Sequence, residues 1–526
     1  MNPAVTEALA ELPALLCAHL LLSACAVGIG VLVGLPLAIA SARSRRVRAP
    51  VLGLAGLIQT IPALALLALF YPMLLILGQT SGLAIPALGF LPALIALSLY
   101  ALLPIVRNGV AALQGIEPGV IDAADGVGMT AGQRLRLIEL PLGAPVILAG
   151  IRTASVWTIG AATLATTVGQ PSLGDLIFSG LQTENWHRVL VGCAAAAALA
   201  LGVDGCLALV ESGLAPRRRL RVWSGLGLLV AALLLAALPV RAGEGELIVV
   251  GAKNFSEQYI LASVIEARLR AAGYRTERRD NLGSTVAYQA LAAGDIDVYV
   301  DYGGTLWSNI LGRTDTPPPE AMRAELSRAL QARDAVRLLG PLGFENAYAL
   351  AMRRERAAAL GIRSLADLAA HPELRLGADL EFLTRPEWRA VQSAYGLRFA
   401  EQRSFSPTFM YRAVEQGSVD LITAFSSDGR IAALDLIALG DPRRALPSYE
   451  AVLFVSPRRA GDARFTTALT PLLGAISVDR MRQANLMVDR DADKRTPAEA
   501  ARWLDPPPSS GATSPIDSRR PESGAD

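Results

Sequence analysis

Long apolar stretches confined to the first 240 residues constrain this chain more than any other feature of its sequence. A helix needs ~20 apolar residues to cross the hydrocarbon core of a bilayer. Six stretches of 18 or more mostly apolar residues fall in or above the usual range: residues 13–40, 50–77, 82–106, 144–168, 188–211 and 223–240. The sequence therefore predicts a multi-pass membrane protein with about six spanning helices, whose limits are set only to within several residues.

The rest of the chain has the composition of a soluble protein. Charged residues number 24 in the first 242 residues, about one in ten, and 72 in the remaining 284, about one in four. The net charge of +2 gives no reason to expect nucleic-acid binding. All four cysteines lie in the apolar half, and no zinc or calcium spacing occurs, so neither a disulfide framework nor a metal site is predicted.

Arginine-rich segments predict the orientation of the spans. They lie at residues 41–48, within 107–141 and at 216–221, which alternation of the spans places on one side of the membrane. The positive-inside rule makes that side the cytoplasm. The sequence thus predicts an inner-membrane protein whose second half, after an even number of spans, is extracytoplasmic and periplasmic.

One cytoplasmic segment, residues 121–141, carries a recognisable pattern. Its matching positions are Asp122, Ala123, Ala124, Gly128, Ile138, Leu140 and Pro141. The small alanines allow a short helix to lie close to a partner, Gly128 permits a turn, and Pro141 is expected to close the second short helix before the next span. The segment resembles the coupling loop of ABC importer permeases, with aspartate where that loop usually has glutamate.

This resemblance implies partners that the chain itself does not contain. The only lysines are Lys253 and Lys494, and neither follows the glycine-rich pattern of a P-loop, so no cofactor is expected in this chain. In such importers the coupling loop docks on a separate ATPase subunit, which holds ATP and Mg²⁺. The resemblance also implies a homodimer, because an importer channel has two permease units.

The second half alternates strands with helices, which predicts α/β architecture in two lobes. We assign residues 1–222 to the permease, 223–243 to a last helix that also reads as a signal anchor, and 244–506 to the soluble domain. Lobe one would comprise 246–343 and 449–506, and lobe two 344–448. Cleavage after Ala242 stays open, and the Pro/Ser/Gly-rich tail, 507–526, is expected to be disordered.

Four strings in the soluble half carry a second resemblance. They are residues 251–261, 282–285, 294–305 and 346–350. They look like the substrate-binding proteins of glycine betaine, choline and carnitine importers, and the likeness extends over nearly all of 246–504. The fold implied is an all-α permease of the type I importers followed by a two-lobed periplasmic-binding-protein domain of type II, with the ligand in the cleft between the lobes.

A quaternary ammonium group has no N–H to donate, so aromatic faces are the natural means of holding its charge. By the family pattern, Tyr302, Tyr348 and Tyr411 match positions of an aromatic cage. Phe425 stands where a tyrosine is common, and Asn346 where aspartate is common.

A carboxylate on the ligand would be held by a clamp that the resemblance places at Lys253, Thr305 and Arg385. The chain departs from the family at Glu387 and Trp388, which follow Arg385 where Asp-Gly is frequent. This departure leaves the individual solute open. Fused permease and receptor chains also resemble importers of ergothioneine, a larger trimethylammonium betaine that would use the same cage and clamp.

We therefore predict a fused permease and substrate-binding subunit of an ABC importer for quaternary ammonium compounds. Ergothioneine import by the same architecture is the alternative. A membrane-tethered ligand sensor is a rival of another class, but the predicted cytoplasmic segments leave no room for an output domain. An enzyme is disfavoured because the sequence offers no catalytic set.

Overall fold

The structure is a computed structural model. It describes residues 3–83, 85–214, 219–238, 245–379, 382–383, 385–405, 407–490 and 492–505. The predicted cleavage point at Ala242 and the predicted disordered tail at 507–526 lie outside these residues.

The first half is helical throughout. Its α-helices are α1 (Pro3–Arg43), α2 (Arg45–Thr60), α3 (Ala63–Ser81), α4 (Phe90–Gln114), α5 (Pro118–Gly126), α6 (Ala131–Arg134), α7 (Leu140–Ala162), α8 (Gly174–Gln182), α9 (Trp186–Gly213) and α10 (Arg219–Ala237). A π-helical turn, Leu135–Glu139, joins α6 to α7, and a 3₁₀ turn, Thr163–Val168, follows α7.

The predicted second span, residues 50–77, is not one continuous helix. It is divided between α2 and α3, which meet at an angle of 99°. The break falls at Ile61, whose backbone is extended, and at Pro62, which has no N–H to continue the helical ladder. Among the described residues, five helices are long and apolar enough to cross a membrane, and the predicted six are reached only if the bent pair counts as one span.

Small residues allow the spanning helices to pack closely. A Cβ added at Gly109 of α4 would lie 2.6 Å from Ala38 of α1, and one at Gly150 of α7 would lie 2.6 Å from Asn108 of α4. Close approach of backbones is the main source of helix association in lipid, where apolar surfaces gain nothing by leaving water. The Gly/Ala-rich sequence therefore fixes the tight α1–α4–α7 packing.

The second half begins with β1 (Leu247–Lys253). It continues with α11 (Ser256–Ala271), β2 (Arg275–Leu282), α12 (Ser284–Ala293), β3 (Val298–Tyr302), α13 (Gly303–Asn309), α14 (Pro319–Asp334), β4 (Arg337–Glu345), β5 (Tyr348–Arg353), α15 (Arg354–Leu360), β6 (Arg375–Asp379), α16 (Pro386–Tyr395), β7 (Glu401–Phe405), α17 (Pro407–Glu415), β8 (Leu421–Phe425), α18 (Arg430–Ala433), β9 (Leu436–Ala438), β10 (Glu450–Val455), α19 (Ala463–Leu469), α20 (Val478–Asp489) and α21 (Pro497–Leu504).

These strands form two separate five-stranded sheets. The first has the order β2-β1-β3-β10-β4 and the second the order β7-β6-β8-β5-β9. The chain passes to the second sheet between β4 and β5, and it returns with β10, which pairs antiparallel with β3 and β4. Strand β4 runs to Glu345, slightly past residue 343, where lobe one was expected to end.

The α/β half rests on the end of the helical half that carries residues 166–184. Asn281 donates to Thr166 Oγ1 at 3.0 Å, and the Lys494 ammonium donates to the Thr183 carbonyl at 2.8 Å. Arg279 donates to the Gly169 carbonyl at 2.5 Å. The described structure is therefore a receptor-like domain seated on the helical bundle, with its cleft close to the turn between α8 and α9.

Candidate functional site

A cavity of about 430 Å³ lies between the two lobes. All eight residues predicted for the ligand site line it: Lys253, Tyr302, Thr305, Asn346, Tyr348, Arg385, Tyr411 and Phe425. They come from both lobes, because β1 and β3 end at the cleft in one lobe, while β5 begins and β8 ends there in the other. The structure thus brings together residues that are up to 172 positions apart in the sequence.

A larger cavity, about 1060 Å³, separates the α11 side of the receptor domain from the helical half. Its lining contains a single aromatic residue among the described residues, Tyr259, which is 1% exposed and donates its hydroxyl to Asn281. A cage needs several aromatic rings, and the described lining of this larger cavity has one. The smaller cavity between the lobes is therefore the candidate ligand site.

Aromatic rings form the wall of the cleft cavity on the side of the second sheet. Tyr348 and Phe425 are direct partners in the β5–β8 register, and their ring centroids are 4.8 Å apart. Tyr449 meets the Tyr348 ring edge-on at 5.7 Å. On the opposite side, Phe255 stacks on Tyr302 at 6.2 Å. Sequence reasoning missed Phe255 and Tyr449, although Phe255 lies inside a string that it singled out.

A cationic side chain of the same chain lies against the ring of each of the three predicted cage tyrosines. The Lys253 ammonium lies 4.8 Å from the Tyr302 ring centroid, and the guanidinium carbons of Arg385 and Arg430 lie 5.5 and 4.1 Å from those of Tyr348 and Tyr411. These distances are those of cation–π contacts. The rings are therefore placed to attract positive charge, and a bound cation must share them with these side chains or displace them.

The two cationic members of the predicted clamp are paired with carboxylates. Lys253 Nζ lies 2.6 Å from Asp301 Oδ1 and 3.3 Å from Ser284 Oγ, and Arg385 Nη1 lies 3.7 Å from Glu387 Oε1. Asp301 is fully buried behind the cavity. Sequence reasoning gave Lys253 no partner, because Asp301 is hidden within an apolar strand. The clamp's positive charge is thus largely compensated within the chain.

Glu257, near the start of α11, is the centre of a buried hydrogen-bond network that sequence reasoning also missed. Its carboxylate accepts from the Tyr302 hydroxyl at 2.5 Å and from the side-chain amides of Asn346 and Asn485 at 3.1 and 2.9 Å. Burial raises the pKa of Glu257 above its ordinary value, and these hydrogen bonds oppose that rise. The network holds the Tyr302 ring and Asn346 in fixed positions at the cavity.

A second polar cluster lies beside Tyr411. Arg430 Nη2 lies 2.8 Å from Asp428 Oδ2, and although burial would raise the pKa of Asp428, the Arg430 charge holds it below its usual value. Asp489 accepts from Ser256 Oγ at 2.5 Å, and burial raises the pKa of Asp489 to about 6.

Among the described residues that line the cavity, acidic residues outnumber basic ones. The acidic members are Glu184, Glu257, Asp379, Asp428 and Asp489, and the basic ones are Lys253, Arg385 and Arg430. Asp301 and Glu387 stand directly behind two of the bases. The balance of charge therefore favours a cationic ligand group over an anionic one.

The predicted coupling segment forms a compact pair of short helices. Asp122 and Ala123 are exposed on α5, Ala124 is buried, and Gly128 takes a left-handed backbone (φ 79°) that favours glycine. Arg134 joins the two helices, since its Nη1 lies 2.6 Å from Asp125 and its Nε 2.8 Å from Glu139.

The prediction that Pro141 closes the second short helix is wrong. The chain continues from α6 through the π-helical turn into α7, and Pro141 is the second residue of α7. The wider π turn shifts the backbone hydrogen bonds to i→i−5, as in the bond from Leu140 N–H to the Leu135 carbonyl. This shift accommodates a proline, which lacks an N–H, without ending the helix.

Both halves of the chain match known protein families. Residues 30–216 match the family described as the binding-protein-dependent transport system inner membrane component. Residues 246–505 match the family described as the substrate binding domain of ABC-type glycine betaine transport systems. The predicted division into a permease and a binding domain thus agrees with two independent family matches.

Bacterial relatives match one or both of these halves. The chain is 30% identical over 428 residues to the ergothioneine transport permease/ergothioneine binding protein of Helicobacter pylori, which covers 78% of this chain and 75% of the relative. It is 39% identical over 198 residues to the choline transport system permease protein of Bacillus subtilis, covering 38% of this chain and 86% of that protein. The chain therefore belongs to the family of ABC importer chains that fuse a permease to a substrate-binding domain and serve the import of osmoprotectants or ergothioneine.

Proposed function

We propose that the solute imported by this chain is a quaternary ammonium compound of the glycine betaine, choline and carnitine class. The observation that carries the proposal is the combination of aromatic rings and excess acid around one cavity. Tyr302, Tyr348 and Tyr411 already hold cationic side chains at 4.1 to 5.5 Å. A trimethylammonium group, which cannot donate a hydrogen bond, would bind to such rings by the same electrostatic attraction.

Ergothioneine is the second candidate, and a specific observation favours it. The Helicobacter pylori relative that carries both halves is described as an ergothioneine transporter. Ergothioneine has a trimethylammonium group and a carboxylate, as the betaines have, and also a thiol-imidazole body that needs space. A cavity of about 430 Å³ has room for either kind of solute.

We infer further that the chain acts as a homodimer with a separate ATPase that supplies ATP hydrolysis and holds the Mg²⁺. The support is the coupling segment, where Val127, directly after α5, and Leu137, in the π-helical turn after α6, are 74% and 62% exposed. Exposed apolar side chains on a predicted cytoplasmic segment fit a docking surface for a partner subunit. In this arrangement the receptor domain faces the periplasm and the coupling segment faces the cytoplasm.

Titration calorimetry on the purified full-length chain in detergent or nanodiscs tests the proposed solute. The ligands are glycine betaine, choline, carnitine and ergothioneine. We expect saturable binding of at least one, abolished by Tyr302→Ala together with Tyr348→Ala. Absence of binding by all four compounds, or unchanged binding in the double variant, would contradict the proposal.

A further inference from the structure

The receptor cavity is not walled by the receptor domain alone. Leu181, Gln182 and Glu184 of the helical half also line it. They belong to the end of α8 and to the turn that leads into α9. The permease therefore contributes side chains to the space in which the solute is proposed to bind.

This turn is held in one shape by its own hydrogen bonds. The Asn185 N–H donates to the Gly180 carbonyl and the Thr183 hydroxyl to the Ser179 carbonyl, both at 2.7 Å. Glu184 has a left-handed backbone (φ 51°), which non-glycine residues rarely adopt because it strains the chain. The α8–α9 turn therefore keeps Glu184 at the receptor despite an unfavourable local conformation.

Both lobes of the receptor contact the α8–α9 turn. Lys494, which follows α20 in the lobe of the first sheet, donates to the Thr183 carbonyl at 2.8 Å. Arg430, in the lobe of the second sheet, has its Nη1 at 3.9 Å from Glu184 Oε1. The same Arg430 guanidinium lies over the Tyr411 ring. The Arg430 guanidinium thus lies between the Glu184 carboxylate and the ring of Tyr411, a predicted cage residue.

We propose that the permease turn Leu181–Glu184 is part of the solute site, and that Glu184 presents a negative charge to a cationic solute in the receptor cavity. The inference rests on the proposed quaternary ammonium function. Its consequence is that solute affinity of the docked chain depends on a permease residue. A cation that leaves the receptor would then meet a permease carboxylate first, before it enters the channel.

The effect of this charge depends on the net charge of the solute. Choline carries a net positive charge, whereas glycine betaine is a zwitterion with none. Removal of one carboxylate from the wall of a half-solvated site changes the affinity for a cation by about three- to tenfold. We expect Glu184→Gln to weaken choline binding by about that factor and glycine betaine binding by clearly less, and Glu184→Arg to enlarge the difference.

The test is calorimetry of choline and glycine betaine on the full-length wild type, Glu184→Gln, Glu184→Arg and Glu325→Gln. Glu325 is the matched control, because it pairs with Arg328 on the surface of α14 and does not line the cavity. Gln182→Trp adds bulk to the same wall and should lower the affinity for both solutes.

The outcomes separate this inference from the proposed function. If the wild type binds none of choline, glycine betaine, carnitine and ergothioneine, the proposed function fails. If the wild type binds but Glu184→Gln, Glu184→Arg and Gln182→Trp all bind both solutes as the wild type does, the permease turn is not part of the site. Equal losses in Glu184→Gln and Glu325→Gln would contradict a local effect of Glu184.

Discussion

Lys253 and Asp301 form a buried ion pair beside the cavity between the lobes, with Nζ 2.6 Å from Oδ1. Their side chains are 5% and 0% exposed. Asp301 also accepts from the Tyr299 hydroxyl at 2.9 Å and from the Tyr302 backbone N–H at 2.8 Å. The pair therefore fixes the end of β3, from which the Tyr302 ring projects to the cavity.

Removal of only one member of this pair should be more harmful than removal of both charges. Lys253→Met leaves the Asp301 carboxylate buried without its cation, which costs about 3–5 kcal/mol of folding free energy. The double variant Lys253→Met/Asp301→Asn removes both charges and should cost clearly less. Thermal unfolding of the full-length chain, followed by circular dichroism, compares the two. An equal loss in the single and double variants would argue that the pair is not coupled.

The ring of Tyr348, more than its hydroxyl, should determine solute affinity. Tyr348→Phe keeps a π face beside Phe425 and should retain most of the affinity. Tyr348→Ala removes a contact that is worth ~0.5–2 kcal/mol per ring, so affinity should fall by a factor of about 2 to 30. Calorimetry with the best-bound solute measures both variants. If alanine and phenylalanine had the same effect, the ring would not be part of a cage.

Asp489 should make stability depend on pH. Its folded-state pKa of about 6 lies above the ordinary 3.8, so the folded chain binds this proton more tightly than the unfolded chain. The ionised carboxylate therefore lowers stability above about pH 6, and the loss is relieved as pH falls toward 4.

Asp489→Asn is neutral at every pH. The rise of the Asp489 pKa from 3.8 to about 6 corresponds to roughly 3 kcal/mol of stability at about pH 7.5, so this variant should raise the unfolding midpoint there by roughly 6–12 °C. At about pH 4.5 the difference should shrink to less than half. Differential scanning fluorimetry at both pH values checks this. The same midpoint shift at both pH values would show that Asp489 does not titrate between them.

Gly128 should be needed for transport and not for solute binding. A Cβ at this position meets no described atom within 4 Å, but its left-handed backbone disfavours any side chain. Gly128→Asp would distort the turn of the coupling segment and add charge where a partner is proposed to dock. We expect uptake into cells to be abolished with unchanged solute affinity of the purified chain.

Gly119→Ala, on the open face of α5, is the matched control and should leave uptake intact. Normal uptake by Gly128→Asp would argue against coupling through this segment.

The main features of the fold follow from the sequence because their signals are local. Apolar length predicts the spanning helices, and the strings around Lys253 and Tyr302 identify the loops at the cleft. The bend at Pro62 was not anticipated, because hydropathy averages across a break that a single proline creates. The continuous helix through Pro141 was likewise hidden, since the π-helical turn that accommodates the proline has no composition signal.

The partners of the site residues could not be read from the sequence. Lys253 pairs with Asp301, and Tyr302 and Asn346 both donate to Glu257. These contacts depend on how β3, α11 and the segment between the two lobes meet in space. The contact between Arg430 and Glu184 joins residues 246 positions apart, from two halves with separate family patterns. Pairings of this kind arise from tertiary packing, and they change the charge of the site.

The most direct test of the central claim is a competition measurement of solute binding by the full-length chain. Radiolabelled choline is bound to the purified chain in nanodiscs and displaced by glycine betaine, carnitine, ergothioneine and, as a control cation without methyl groups, ethanolamine. We predict displacement by at least one trimethylammonium compound and not by ethanolamine, and loss of choline binding in Tyr302→Ala/Tyr348→Ala. Displacement by ethanolamine as effective as by any trimethylammonium compound, or full choline binding in the double variant, would contradict an aromatic site for quaternary ammonium solutes.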